Sequence, residues 1–211
     1  GQAVWDPVVL DRLSIPPSML PGIVDSSGEL AEATALDGAP PVCWVAGDQQ
    51  ASLIGQGAVR PGLAKITFGT GAMLDVCLGD QRPSFDVRGA NGTFPIVAWQ
   101  VDDQPVWGIE AIMLAAGTNV EWLRDDLGII ETAAQSHDVA AACDDTDGVM
   151  YVPALLGLGT PQWDYGARGT LLGATRGTGR PQLVRSVLEG VAQRGADLVD
   201  AAEADAGIDI P

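Results

Sequence analysis

The chain has 211 residues, with 11 Lys+Arg against 28 Asp+Glu and a formal net charge of −17. That balance excludes a nucleic-acid binder, because neutralising several phosphates takes a basic face, and an anionic membrane surface would repel the chain for the same reason. Hydrophobic residues at 46% and charged residues at 18% are the composition of a folded domain rather than a disordered segment, and no run of about 18 apolar residues is present to span a membrane.

The first forty residues read as a peripheral lead-in. VVLDRL suits a helical turn, IPPSMLPG is a proline-restricted loop, and SSGELAEATALDGAP is polar and acidic. The compact apolar run PVCWVAG, residues 41–47, is rich in β-formers and ends at glycine, which predicts a buried strand. DQQASLIGQG follows as a short helix closed by glycines. LAKITFGTGAMLDVCLGD reads as two strands around a glycine turn, and TFPIVAW with PVWGIEAIML as a further strand pair. TNVEWLRDDLG has Val120, Leu123 and Leu127 on one helical face, and its start, Thr118-x-x-Glu121, fits a capping box. VMYVPALLGLG and RGTLLGAT supply two more strands. The clearest helix follows Pro181, with Leu183, Val184, Val187, Leu188, Val191, Leu198 and Val199 recurring at three and four. Strands and helices are mixed, with a run of hairpin-like strands before the helices, which reads as an α/β domain with a mixed sheet.

The chemistry-bearing residues are few. Cys43, Cys77 and Cys143 form no CxxC pair and are expected in the core, and the single histidine, His137, is expected at the surface. A histidine-rich metal site is therefore excluded. Neither GxxxxGK[ST] nor GxSxG occurs. What remains is Asp48, directly after the predicted strand at 41–47, and twenty-two residues on the turn Phe68-Gly69-Thr70-Gly71. An aspartate at a strand's end suits a general base toward a hydroxyl. A Gly-Thr-Gly turn exposes backbone N–H groups that can hold phosphate oxygens. Each half also has a plainer reading: Asp48 as the N-cap of the following helix, and GTG as a hairpin turn alone.

The stretch VAGDQQASLIGQGAVRPGLAKITFGTG resembles the GDQQ-to-GTG segment of the glycerol-phosphorylating branch of the FGGY carbohydrate kinase family, and the similarity continues through AGTNVEWLRDDLGII and VPALLGLGTPQWDYGARGTLLGATRGT. The resemblance implies an α/β fold of the actin-like ATPase (ribonuclease H-like) type. It also implies ATP-dependent phosphorylation of a primary hydroxyl of glycerol, with ATP and Mg²⁺ as cofactors. In that pattern Asp48 is the catalytic base and also meets the substrate. Gln49 binds the polyol's hydroxyls, Met73 stands where an aromatic usually lies against the substrate's carbons, and Thr70, Gly71, Gly117 and Glu121 fall at the nucleotide. Glu121 replaces the usual glutamine and is expected to serve as a helix cap. Ala174 departs from the family's second signature, and ALDGAPP does not match the loop by which some members bind fructose 1,6-bisphosphate.

The same resemblance divides the chain into a lead-in over residues 1–40 and a partial second lobe over residues 41–211. No counterpart of the family's N-terminal lobe is found, and the chain begins with Gly1 and stops at DAGIDIP, so a piece of a longer protein is expected, inactive by itself. Apolar surface left without its lobe contacts is expected to favour self-association, hence a homo-oligomer. The start GQAVWDPVVLDR has no basic n-region, which points to the cytoplasm. A kinase for erythritol, xylulose or ribulose, and a non-catalytic actin-like module, are the competing readings.

Overall fold

The computed structural model describes residues 4–211. A short helix α1 (Pro7–Leu13) opens the described chain, with the Asp6 carboxylate accepting from the N–H groups of Val8 and Val9. Strand β1 (Ser27–Glu32) then pairs antiparallel with β2 (Pro41–Trp44). The lead-in predicted through residue 40 thus contains a strand, held on by Ser26, whose N–H donates to Gln100 O at 2.8 Å. The buried strand predicted over 41–47 is shorter, and Cys43 and Trp44 are exposed. Its residues are apolar, but burial needs a covering layer, and among the described residues β2 pairs only with β1.

The central sheet has the order β3 (Ala64–Phe68), β4 (Ala72–Gly79), β6 (Gln104–Met113), β5 (Phe94–Val101). All its ladders are antiparallel. Parallel pairing, the other half of a mixed sheet, appears among the described residues only as the isolated bridge Leu155–Gly157. Turn lengths explain this: β3 and β4 are joined by Gly69-Thr70-Gly71, and β5 and β6 by Asp102-Asp103, both at positive φ. Loops this short can return a chain only antiparallel.

Two helices cover the two faces. On one, α5 (Arg180–Ala206) packs Leu198 and Ala202 against Leu74, Val76, Ile109, Ala111 and Met113. On the other, Leu53 of α2 (Asp48–Gly55) meets Ala98, Trp99 and Val106. Coverage on both sides is why β4 is buried along nearly its whole length rather than alternating. The long helix carries two interior glycines, each costing about 1 kcal/mol of helix propensity, at the points where it approaches most closely. A Cβ on Gly190 would run into Tyr151 O, and one on Gly195 would sit 3.1 Å from the Phe68 ring.

Between these layers, α3 (Gly117–Glu121) runs into a π-helical turn over Trp122–Asp126, closed by Leu127 N–H donating to Trp122 O. The wider turn breaks the predicted 3.6-residue register, and Leu127, expected on the apolar face, is exposed. Then come α4 (Gln135–Ala140), on which His137 is exposed, and the antiparallel ribbon of β7 (Met150–Val152) and β8 (Thr170–Leu172). Of the cysteines, Cys77 is buried, Cys143 half-buried and Cys43 exposed, all three as free thiols. Burial pushes the Cys77 thiol above its ordinary pKa.

Candidate active site

Helix α2 begins at Asp48, and its N-cap is Gly47, not Asp48. Gly47 has no side chain with which to cap, and a Cβ there would collide with the folded-back Gln50 amide. Asp48 is exposed, and its Oδ1 accepts only from the adjacent Gln49 N–H at 2.9 Å. A carboxylate in the first turn sits at the positive end of the helix dipole. The plainer reading of Asp48 as an N-cap is therefore replaced by an exposed first-turn carboxylate that accepts only the next backbone N–H.

Gln49 turns the other way, toward the sheet. Its Oε1 accepts from Lys65 Nζ at 2.5 Å, and the same ammonium donates to Thr67 Oγ1 at 3.0 Å. Lys65 also pairs with Asp75 Oδ2 at 2.5 Å, both side chains being almost wholly buried. The pairing register explains the meeting. Lys65 lies directly opposite Asp75, and Asp75 directly opposite Glu110, so the three form one row across β3, β4 and β6 on the face turned to α2. One row along, Thr67 lies opposite Met73, and Met73 opposite Ile112, so Met73 shares that face two residues from Asp75.

Burial pushes the Glu110 carboxyl up to about 7, helped by the charges of Asp75 and Asp48, against the pull of Lys65. The field of Asp48 at Glu110 ties the helix start to the row beneath it. Lys65, Asp75 and Glu110 were not among the site residues expected from sequence. A signal was available: in a hairpin centred on Thr70, residues 65 and 75 are mirror images, and they are the chain's only lysine and a lone carboxylate in MLDVCLG.

The Gly-Thr-Gly turn docks on the start of α3. Gly117 N–H donates to Gly69 O at 2.8 Å, and Thr70 O accepts from Ala116 N–H at 2.8 Å and from Thr118 Oγ1 at 2.9 Å. Two glycines are needed for the fit, since a Cβ on Gly71 would lie 2.6 Å from Met113 O and one on Gly117 2.6 Å from Gly69 O. The plain hairpin-turn reading of GTG is thus correct as far as it goes, and the docking adds a second element to it. Among the described residues, the N–H groups of Thr70 and Gly71 donate to no backbone carbonyl. The start of α3 is fixed in turn by Asn119, whose Nδ2 donates to Ala115 O and Ala116 O while its Oδ1 accepts from Tyr151 Oη at 2.8 Å. Burial pushes the Tyr151 hydroxyl up to about 12, so it remains a donor.

Glu121 lies one turn beyond Gly117, at the end of α3, and is exposed. The capping box predicted for Thr118 and Glu121 does not form: Ala116 is the N-cap and receives no side-chain hydrogen bond. Thr118 turns its hydroxyl to the Gly-Thr-Gly turn instead.

The model of the FGGY family of carbohydrate kinases, C-terminal domain, matches residues 64–211. The chain is similar to glycerol kinase of Gloeobacter violaceus, 46% identical over 205 residues that cover 96% of this chain and 40% of that protein. It is similar also to glycerol kinase of Alkalilimnicola ehrlichii, at 44% over 97% of this chain and 41% of that protein. Among solved structures, Plasmodium falciparum glycerol kinase with ADP superposes with a TM-score of 0.86 and 29% identity over 98% of this chain and 41% of that one. Xylulose kinase from Lactobacillus acidophilus shares the fold alone, with a TM-score of 0.75 and 24% identity over 94% of this chain and 40% of that one. The chain therefore spans about 40% of the length of the curated relatives it matches. The fold is of the α/β, actin-like ATPase type, and the chain belongs to the FGGY family of carbohydrate kinases.

Proposed function

We propose that the full-length protein transfers the γ-phosphoryl group of ATP to a primary hydroxyl of glycerol, giving glycerol 3-phosphate. In this reading Asp48 takes the proton of the attacking hydroxyl, and Gln49 and Met73 flank the polyol. Thr70, Gly71, Gly117 and Glu121 lie along the nucleotide. The observation that carries it is an exposed Asp48 carboxylate at the start of α2, whose neighbour Gln49 is tied to β3 through Lys65, while the Gly-Thr-Gly turn that ends β3 docks on Gly117. Phosphoryl transfer asks little covalent help of a protein. It needs in-line placement, charge neutralisation and a carboxylate to orient the nucleophile. Mg²⁺ would enter on the phosphates of ATP, the usual way this ion is bound in kinases. The division into an approach over 1–40 and a partial second lobe over 41–211 belongs to the same reading, with β1 counted to the approach although it pairs with β2. So do a homo-oligomeric state and a cytoplasmic location. Among the described residues no helix is long and apolar enough to cross a membrane.

Met73 favours a second reading, in which another polyol or sugar is the acceptor. A flexible thioether on the substrate face selects shape less strictly than an aromatic ring. The experiment is a coupled ATPase assay of the full-length protein with a panel of polyols. Glycerol should give the highest kcat/KM, and Asp48→Asn should lower kcat by roughly 10²–10⁴-fold, the range of general-base catalysis, with the fold intact. Near-normal turnover in a folded Asp48→Asn enzyme would refute the base assignment.

A further inference from the structure

We propose that Lys65 is a positioning residue that fixes the Gln49 carboxamide from inside the sheet, so that Gln49 offers hydrogen-bond donors rather than an acceptor to a substrate hydroxyl. The ammonium has three protons and no lone pair. Two of its hydrogen bonds run to Gln49 Oε1 and Thr67 Oγ1, at 2.5 and 3.0 Å, and it forms an ion pair with Asp75 Oδ2 at 2.5 Å. A group that only donates can face only the oxygen end of an amide. The orientation of a carboxamide, ordinarily left open by its shape, is decided here by chemistry, and the NH₂ end of Gln49 is turned away from Lys65. That end is what a polyol oxygen would meet. The proposal rests on the reading of Gln49 as a hydroxyl-binding residue.

The row beneath explains why the lysine is rigid. Asp75 is fully buried, and neither of its oxygens accepts a well-aligned hydrogen bond, although Lys65 lies within ion-pair distance. Directly opposite on β6 stands the carboxyl of Glu110, which burial and the charge of Asp75 push up to about 7, so that its protonated form is favoured below that pH. With that proton in place, the row carries one positive and one negative charge, the balance a buried cluster requires. Thr67 extends the device, because the same ammonium that holds Gln49 also holds the residue opposite Met73. One buried cation thereby sets the spacing between the helix start and the strand expected to flank the substrate.

The test uses full-length protein selectively ¹⁵N-labelled at glutamine, with the Gln49 side-chain amide assigned by its loss in Gln49→Glu. Removing the lysine alone would leave buried carboxylates uncompensated. The variant is therefore the double change Lys65→Met/Asp75→Leu, which replaces an ion pair by apolar groups of similar volume, and Lys65→Arg serves as the conservative rescue. Wild type and Lys65→Arg should show a resolved, slowly exchanging Gln49 NH₂ pair, which the double variant broadens or shifts to the position of a free amide. In steady-state kinetics the double variant should raise the KM for glycerol about tenfold, the loss of one hydrogen bond to an oriented group. Its kcat should change by less than about threefold, and Lys65→Arg should recover most of the KM. A merely structural role would lower the active fraction and leave KM unmoved. A Gln49 signal indifferent to the double change, or a KM unaltered in an active enzyme, would overturn the proposal. If the wild type phosphorylates no polyol, the reading of the site fails on that result, while the amide signal alone still decides whether Lys65 positions Gln49.

Discussion

Glu110 titrates where a glutamate ordinarily would not. Its carboxyl rises from 4.5 to about 7, first because burial disfavours the charged form and then because Asp75 faces it across the strand pair. A raised acid binds its proton more tightly in the folded state than in the unfolded chain, so the folded state is favoured at low pH. The contribution of Glu110 is complete below about 4.5 and is lost as pH climbs through about 7. The melting temperature of the full-length protein should accordingly fall between pH 5 and pH 8 by an increment that Glu110→Gln removes, since a neutral amide has no proton to lose. Differential scanning fluorimetry across that range checks it. A pH slope identical in wild type and Glu110→Gln would mean that the row is not coupled to folding. The groups facing Glu110 are Asp75 and Lys65 within the sheet and Asp48 on α2, and the last links this titration to the candidate base.

At the scale of elements, α5 gives the sheet one of its two covers. Leu198 is wholly buried against the strands while Asp200, two residues on, is exposed. Leu198→Ala should destabilise by about 2–5 kcal/mol, the transfer and cavity cost of a core leucine. Asp200→Ala should stay within about 0.5 kcal/mol, and urea midpoints of the two variants compare them directly. This helix was legible in sequence because apolar residues recur along it at three and four and Gly207 caps it in a left-handed conformation. The β3–β4 hairpin was legible for a similar reason, with β-formers on both sides of Gly69-Thr70-Gly71. Other features were not. The π turn at Trp122–Asp126 depends on how Leu123 and Ile130 pack, a tertiary effect that local periodicity does not carry. Strand β1 is polar, and its anchor at Gln100 is distant in sequence. Asp48, Gln49, Thr70 and Gly117 stood out through their resemblance to a family motif. The row under them was legible only in part: hairpin symmetry about Thr70 sets Lys65 opposite Asp75, but Glu110, on a third strand, becomes their neighbour only once register is known.

For the molecule as a whole, the site is open on the side away from the sheet. Asp48 is exposed, and Val8, Leu13, Met19 and Val24 present 57–74% of their surface to solvent. Several exposed apolar side chains in one chain segment are consistent with a covering partner. The chain spans about 40% of its curated relatives' length, and in the proposed reading that share carries the candidate base at Asp48 and the candidate phosphate turn at Thr70, with little to enclose a substrate or offset the charge of ATP. A net charge of −17 works against an anionic nucleotide unless cationic groups elsewhere in the protein focus it. The 211-residue chain purified alone should therefore give no glycerol-dependent ATP turnover above background and should self-associate in sedimentation velocity, while the full-length protein turns over. If, as proposed, the base lies in these residues and the enclosure elsewhere in the full-length protein, adding the remaining polypeptide as a separate chain should restore turnover when the two reassemble, and Asp48→Asn should abolish the restored activity. Turnover by the 211-residue chain alone would show that these residues assemble a working site without the rest of the protein.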